Sequence, residues 1–127
     1  MTPGAMTLDA LYWAMVAALF THELDAVKRH EWRVLPLTSF LPDRVGEQVF
    51  IWTHLPLFWL ILWLDERSAM SWVRIGLSAF AIVHVWLHWI FRRHPANEFN
   101  NPSSWALIVL IGVLGALYLG LAVTHGR

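Results

Sequence analysis

A chain of 127 residues that is 57% hydrophobic and only 14% charged cannot cover a water-facing surface, because a soluble domain is about one-quarter charged. A formal net charge of zero removes the electrostatic case for nucleic acid, and the lack of cysteine removes disulfides, thiolate metal sites and thiol catalysis. What remains is an integral membrane protein, with mean hydropathy +0.51 and nine Trp suited to the headgroup boundary.

The first apolar run covers about residues 8–29. It lacks the basic region and small-residue cleavage site of a signal peptide, so it reads as a retained span. Its end carries Thr21-His22-Glu23-Leu24-Asp25-Ala26-Val27-Lys28-Arg29-His30-Glu31-Trp32. A lipid-facing helix does not choose His, Glu and Asp there, since each ionisable group costs free energy in hydrocarbon. By helical spacing His22, Asp25, Ala26 and Arg29 share a face, with Glu23 and His30 on the neighbouring stripe.

The second run, about residues 44–64, opens after breaker residues Pro36, Pro42 and Asp43, with Gly46 in its first turn. Asp43, Glu47 and His54 fall on one of its faces, and Pro56 is expected to kink or loosen it. A polar turn, Asp65-Glu66-Arg67-Ser68, leads to the third run, about residues 70–93, where His84 and His88 lie one turn apart and point the same way. That His-x-x-x-His spacing is the one a helix uses to offer two imidazoles to a metal, although no Glu follows His84 as in the zinc-protease motif. The third loop holds Asn97, Glu98 and Asn100, candidates to lid a site mouth. Asn100 or Asn101 is a candidate cap for the fourth run, about residues 102–124, with Pro102 at its first position. Gly112, Gly115 and Gly120 there suit close helix packing.

Each run is close to the ~20 residues that cross a bilayer. The expected fold is all-α: a single polytopic domain forming a four-helix transmembrane bundle. Lys28, Arg29, Arg33, Arg44, Arg92 and Arg93 lie on one side and Arg67, Arg74 and Arg127 on the other, so the positive-inside rule sets both termini outside. At about 1.5 Å rise per residue, His22 lies roughly 10 Å below the cytoplasmic end of its helix, His54 about 15 Å and His84 about 13 Å. Three helices thus bring histidine to a similar depth in the cytoplasmic half.

Several imidazoles with one or two carboxylates suit zinc or non-haem iron. The candidate metal ligands are His22, Asp25, His54, His84 and His88. Glu23 or Glu47 is the candidate general base, and Asp25, Glu23 or Glu47 the candidate acceptor for a ligand's second ring nitrogen. The leading reading is a metal-dependent membrane enzyme, hydrolase or oxidoreductase, acting on a hydrophobic or lipid-like substrate. The alternative is an accessory or structural subunit in which the histidines act as helix glue, His22, Glu23 and Asp25 pair with Lys28 and Arg29, and His54 satisfies a carbonyl freed by Pro56. A third is a haem or metal carrier, with His54 and His84 as axial ligands. His30, His94 and His125 are expected in solvent. Partners on this reading are the lipid bilayer, of a bacterial inner membrane, and further copies of the chain or a larger membrane complex.

His22-Glu23-Leu24-Asp25-Ala26, Glu31-Trp32 and the stretch from Phe50 through His54 to Pro56 resemble a family of small uncharacterised bacterial membrane proteins with an H-E-x-D-A/S … E-W signature on the first helix. The layout is similar to HXXEE-type membrane proteins, in which two acids follow the histidine at its third and fourth positions; here those positions are Asp25 and Ala26. The resemblance implies a polytopic bundle in which His22, Glu23, Asp25, Glu31 and His54 act together, and it names no substrate.

Overall fold

The computed structural model describes residues 3–67 and 72–125. Four helices follow in order: α1 (Pro3–Lys28), α2 (Asp43–Arg67), α3 (Trp72–Phe91) and α4 (Pro102–His125), with a 3₁₀ turn, Glu31–Arg33, after α1 and no strand among the described residues. Asp43–Asp65, Trp72–Phe91 and Pro102–Thr124 are long and apolar enough to cross a membrane. The expected start of the third helix at Met70, the turn residue Ser68 and the terminal Arg127 lie outside the described residues, as do the side chains of Arg67 and His125.

Helix α4 packs against both α1 and α3, and these two contacts carry most of the bundle. Tyr12, Met15, Val16 and Leu19 of α1 meet Ile111 and Tyr118 of α4 and Ala81 of α3 in a continuous buried cluster. Lipid tails are as apolar as these side chains, so close packing rather than water exclusion holds such an interface. Gly115 provides the closeness. A Cβ there would sit 2.7 Å from the Ser78 carbonyl oxygen and 3.0 Å from the Ala81 Cβ. Gly112 packs likewise against Val85, whereas Gly120 has nothing within 4 Å.

Helix α2 is a strut fixed at its two ends. At one end Trp32 Nε1 and Arg33 donate to the Asp43 carboxylate, at 3.0 Å and 2.7 Å, and Trp32 lies against Gly46. At the other, Arg74 of α3 donates to Asp65 at 2.7 Å and also to Asp9 of α1. Between these ends Phe58 stacks on Phe20 of α1 at 4.2 Å, and a groove opens between α2 and α3. The outward faces carry Trp52, Trp59, Trp63, Trp72, Trp86 and Trp89, as a lipid-facing belt requires. Pro56 is accommodated inside α2, which is helical through it.

The link from α1 to α2 positions the site. His30 ends α1 in the left-handed conformation (φ 53°), which reverses the chain as helix C-terminal caps do. The 3₁₀ turn then carries Glu31 back beneath the helix end. Thr38 Oγ1 donates to the Trp32 carbonyl at 2.7 Å, and Glu98 of the third loop accepts from His30 Nδ1 at 3.0 Å and from Arg33 Nη1 at 3.3 Å. The two basic loops are thereby tied to each other. Asn101 caps α4, accepting from the Ser104 amide at 2.9 Å.

Candidate metal centre

Three histidines converge between α1 and α3. His22 comes from α1, and His84 and His88 come from successive turns of α3. Their ring centroids are 4.6 Å apart for His22–His84, 4.9 Å for His22–His88 and 4.6 Å for His84–His88, close to an equilateral triangle. One ligand nitrogen from each falls within 4.8 Å of the others, and all three residues are buried. His84 Nε2 and His88 Nε2 share a hydrogen bond at 3.1 Å, one ring donating and the other accepting. Glu31 closes the fourth side, with Oε1 3.5 Å from His88 Nε2 and Oε2 4.0 Å from His22 Nε2.

Two features distinguish this set from ordinary helix glue. Neither ring nitrogen of His22 has a hydrogen-bond partner among the described residues, and neither does His84 Nδ1. A buried polar atom without a partner costs about 1–3 kcal/mol, so glue would leave few of them. The spacing also fits a cation. A tetrahedral site with bonds of about 2.0–2.1 Å has donor–donor edges of about 3.3–3.4 Å. The 3.1 Å between the His84 and His88 nitrogens is close to that edge, and one ligand nitrogen from each of the three histidines lies within 4.8 Å of the others. His22, His84 and His88 can therefore hold a metal ion.

Apolar packing seals the centre from the basic-loop side. Phe99 of the third loop lies against His88 (4.6 Å) and His22 (5.6 Å), in a cluster with Ala26, Trp32, Phe50 and Ile108. In that setting burial pushes the Glu31 carboxyl up to about 8, with the negative charge of Glu23 adding to the effect.

The remaining candidates go elsewhere. His54 Nε2 lies 3.0 Å from Glu23 Oε2, and its Nδ1 donates to the Phe50 carbonyl at 2.6 Å. The carbonyl freed by Pro56 is that of Trp52, four residues back, so the His54 ring is not simply repairing the proline gap. With Nδ1 carrying a proton, the contact to Glu23 needs one more, held on His54 Nε2 or on Glu23. The pair is thus a proton-holding dyad beside the three histidines. Asp25 accepts from Ser104 Oγ of α4 and from Arg29 Nε at 3.3 Å. Glu47, half-buried in the second turn of α2, forms no described hydrogen bond or ion pair with the histidines and does not line the groove. His30 is bound to Glu98, and His94 Nδ1 accepts from the Ala96 amide at 3.2 Å.

Spacing on α1 did not reveal Glu31, which lies beyond the helix end and reaches the centre only through the reversal at His30. Its one sequence signal is its place beside Trp32 in the polar stretch that ends the first apolar run.

The groove joins the two halves of the site. It has a volume of about 1120 Å³, and its polar lining includes Glu23, Glu31, His54, His84 and His88, with Thr38 and Asn97 toward the basic-loop end. Everything on the far side of the histidines is apolar.

The chain belongs to DUF6713, a family of unknown function. The family profile matches residues 8–125, which takes in every element of the site. No curated protein and no solved structure matches the chain. For this DUF6713 member the chemistry must therefore be read from the centre itself.

Proposed function

We propose that this DUF6713 protein is a metal-dependent membrane enzyme that hydrolyses a lipid-like substrate. His22, His84 and His88 would hold a divalent transition metal, zinc or iron, and leave its fourth position to water, with the Glu31 carboxyl beside that position. One observation carries the reading: three imidazoles from two helices meet a buried carboxylate, and both nitrogens of His22 are left without partners. When bound, such an ion supplies Lewis acidity and activates water near neutral pH. Glu23 is the candidate base, and His54 holds it in place and shares its proton. The surrounding Phe99 cluster excludes bulk water, and the groove admits an apolar molecule from the bilayer. The basic residues of the first and third loops favour a site in the cytoplasmic half of a four-span bundle, with both termini outside. The HXXEE-like layout, a first-helix His/acid motif facing histidines of a later helix, agrees with this. The dyad favours hydrolysis over oxidation, because zinc hydrolases pair an open metal position with a carboxylate base.

A haem carrier with His54 and His84 as axial ligands is disfavoured, because both ring nitrogens of His54 are engaged, Nδ1 by the Phe50 carbonyl and Nε2 by Glu23.

The test is elemental analysis of gently purified protein, followed by an assay on long-chain esters. The reading expects about one equivalent of transition metal, lost in His84→Ala, and ester cleavage that falls ~10²–10⁴-fold in Glu23→Gln with metal retained. Metal below one-tenth of an equivalent, in wild type and variant alike, would return the cluster to a structural role.

A further inference from the structure

The third loop is tied to the rest of the chain through one carboxylate. Residues 97–100 form no helix or strand, and their own hydrogen bonds are local. The Phe99 amide donates to Asn97 Oδ1 at 3.2 Å, Asn97 Nδ2 to the Arg92 carbonyl at 3.2 Å, and Asn100 Nδ2 to the Asn97 carbonyl at 3.1 Å. Among the described residues, the polar contacts that this segment makes beyond the loop are those of Glu98. It accepts from His30 Nδ1 at 3.0 Å and from Arg33 Nη1 at 3.3 Å. All three side chains are more than one-third exposed. Ion pairs this open to water are weak, so they part and re-form without unfolding the bundle.

The next residue covers the histidine centre. Phe99 is 2% exposed, with its ring 4.6 Å from that of His88 and 5.6 Å from that of His22. Ala26, one turn beyond His22 on α1, is fully buried in the same cluster. The Cα atoms of Glu98 and Phe99 are about 3.8 Å apart across one peptide bond, so release of the first frees the second. On the groove side the centre is walled by Phe80, Leu87 and Phe91, which charged solutes cross only at high cost.

We infer that Glu98 is a positioning residue: held by His30 and Arg33, it keeps Phe99 closed over the histidine centre, and parting of this latch opens the centre to water and ions from the basic-loop side. Such a latch regulates the site proposed above and depends on that proposal only for what enters.

Cysteine accessibility tests it, because the chain has no cysteine of its own. Ala26→Cys places a small thiol behind Phe99, and Ala18→Cys places one in the separate buried cluster further back along α1. The probe is a charged, membrane-impermeant methanethiosulfonate, applied to chelator-treated protein in nanodiscs. The Ala26→Cys thiol should react about fivefold faster or more when Glu98→Ala or His30→Asn is added, and no faster again when both are added. Asn serves at position 30 because it tolerates the left-handed backbone there. Phe99→Ala should raise the rate further. The Ala18→Cys thiol should keep its rate in every background, which variants that merely loosened the bundle would not allow. Ile108→Cys, in the cluster of Phe99, is the second reporter should Ala26→Cys not fold. In metal-loaded protein the same variants should speed loss of zinc to EDTA by a similar factor and leave the affinity unchanged, since a gate alters entry and exit alike. A thiol rate behind Phe99 that ignores Glu98→Ala and His30→Asn, or a rise matched at Ala18→Cys, would overturn the inference. Wild type without metal would defeat the metal reading and leave the thiol rates to decide the latch. Unchanged thiol rates in protein that binds metal would defeat the latch alone.

Discussion

Replacing His22 by leucine divides a metal site from a packing contact. The imidazole is fully buried, and neither nitrogen has a partner. If the residue served only packing, a similar-sized apolar side chain would keep the contacts and remove an unsatisfied polar group. Such groups cost about 1–3 kcal/mol in protein mutational series. His22→Leu should therefore make the metal-free protein more stable, by about that amount less ~1 kcal/mol for imperfect repacking against His84, His88 and Phe99. The metal-bound protein should respond in the opposite sense, since one of three nitrogen donors is gone. Loss of a supporting residue near a metal typically costs 10–100-fold in affinity, and loss of a ligand should cost at least the upper end, ~100-fold. The assay is thermal unfolding in one detergent, with chelator and with saturating zinc, for wild type and variant. Wild type should gain stability on adding zinc, and His22→Leu should start higher and gain little. A variant that is less stable without metal and still responds fully to zinc would refute the reasoning.

Other outcomes follow from the same geometry. Glu31 is neutral in the metal-free protein below about 8, so its folded-state value lies above the unfolded one. Its contribution to stability is then fully present below the ordinary carboxylate range and is lost as pH rises toward 8, by as much as ~1.4 kcal/mol per pH unit. Chelator-treated Glu31→Gln should flatten that slope in pH-dependent melts and bind metal at least ~10-fold more weakly. His54→Ala should keep about one equivalent of metal by elemental analysis, because the ring is engaged by Glu23 and the Phe50 carbonyl, yet lower ester cleavage. Gly115→Ala should destabilise the bundle by about 1–3 kcal/mol through the clash with Ser78, whereas Gly120→Ala should be neutral or slightly stabilising, as unfolding in detergent would measure.

The bundle was legible because hydropathy and loop chemistry act locally. Three spans meet the length and composition of a membrane crossing, and the cap of α4 at Asn101 follows from an Asn-Pro pair. The candidate centre was legible in part. His84 and His88 on one face of α3 need only helical periodicity, and His22 at matching depth needs only the helical rise. The rotation of each helix about its own axis is not written in its own periodicity. Asp25 sits three residues after His22, but the neighbouring α4 presents Ser104 to it, and Arg29 one turn on completes its hydrogen bonds. His54 has the right depth, but the azimuth of α2 aims it at Glu23. Glu31 was hidden for another reason: a single left-handed residue, His30, moves it from the continuing helix axis to the inside of the bundle. A backbone reversal of that kind leaves no trace in hydrophobic spacing.

The most direct measurement is X-ray absorption at the metal edge of protein purified with its metal. The account predicts a first shell of light donors at about 2.0–2.1 Å, with outer-shell scattering from three imidazole rings that falls to two in His22→Leu. A bound metal lacking imidazole scattering, or one whose shell is the same in His22→Leu and wild type, would contradict it.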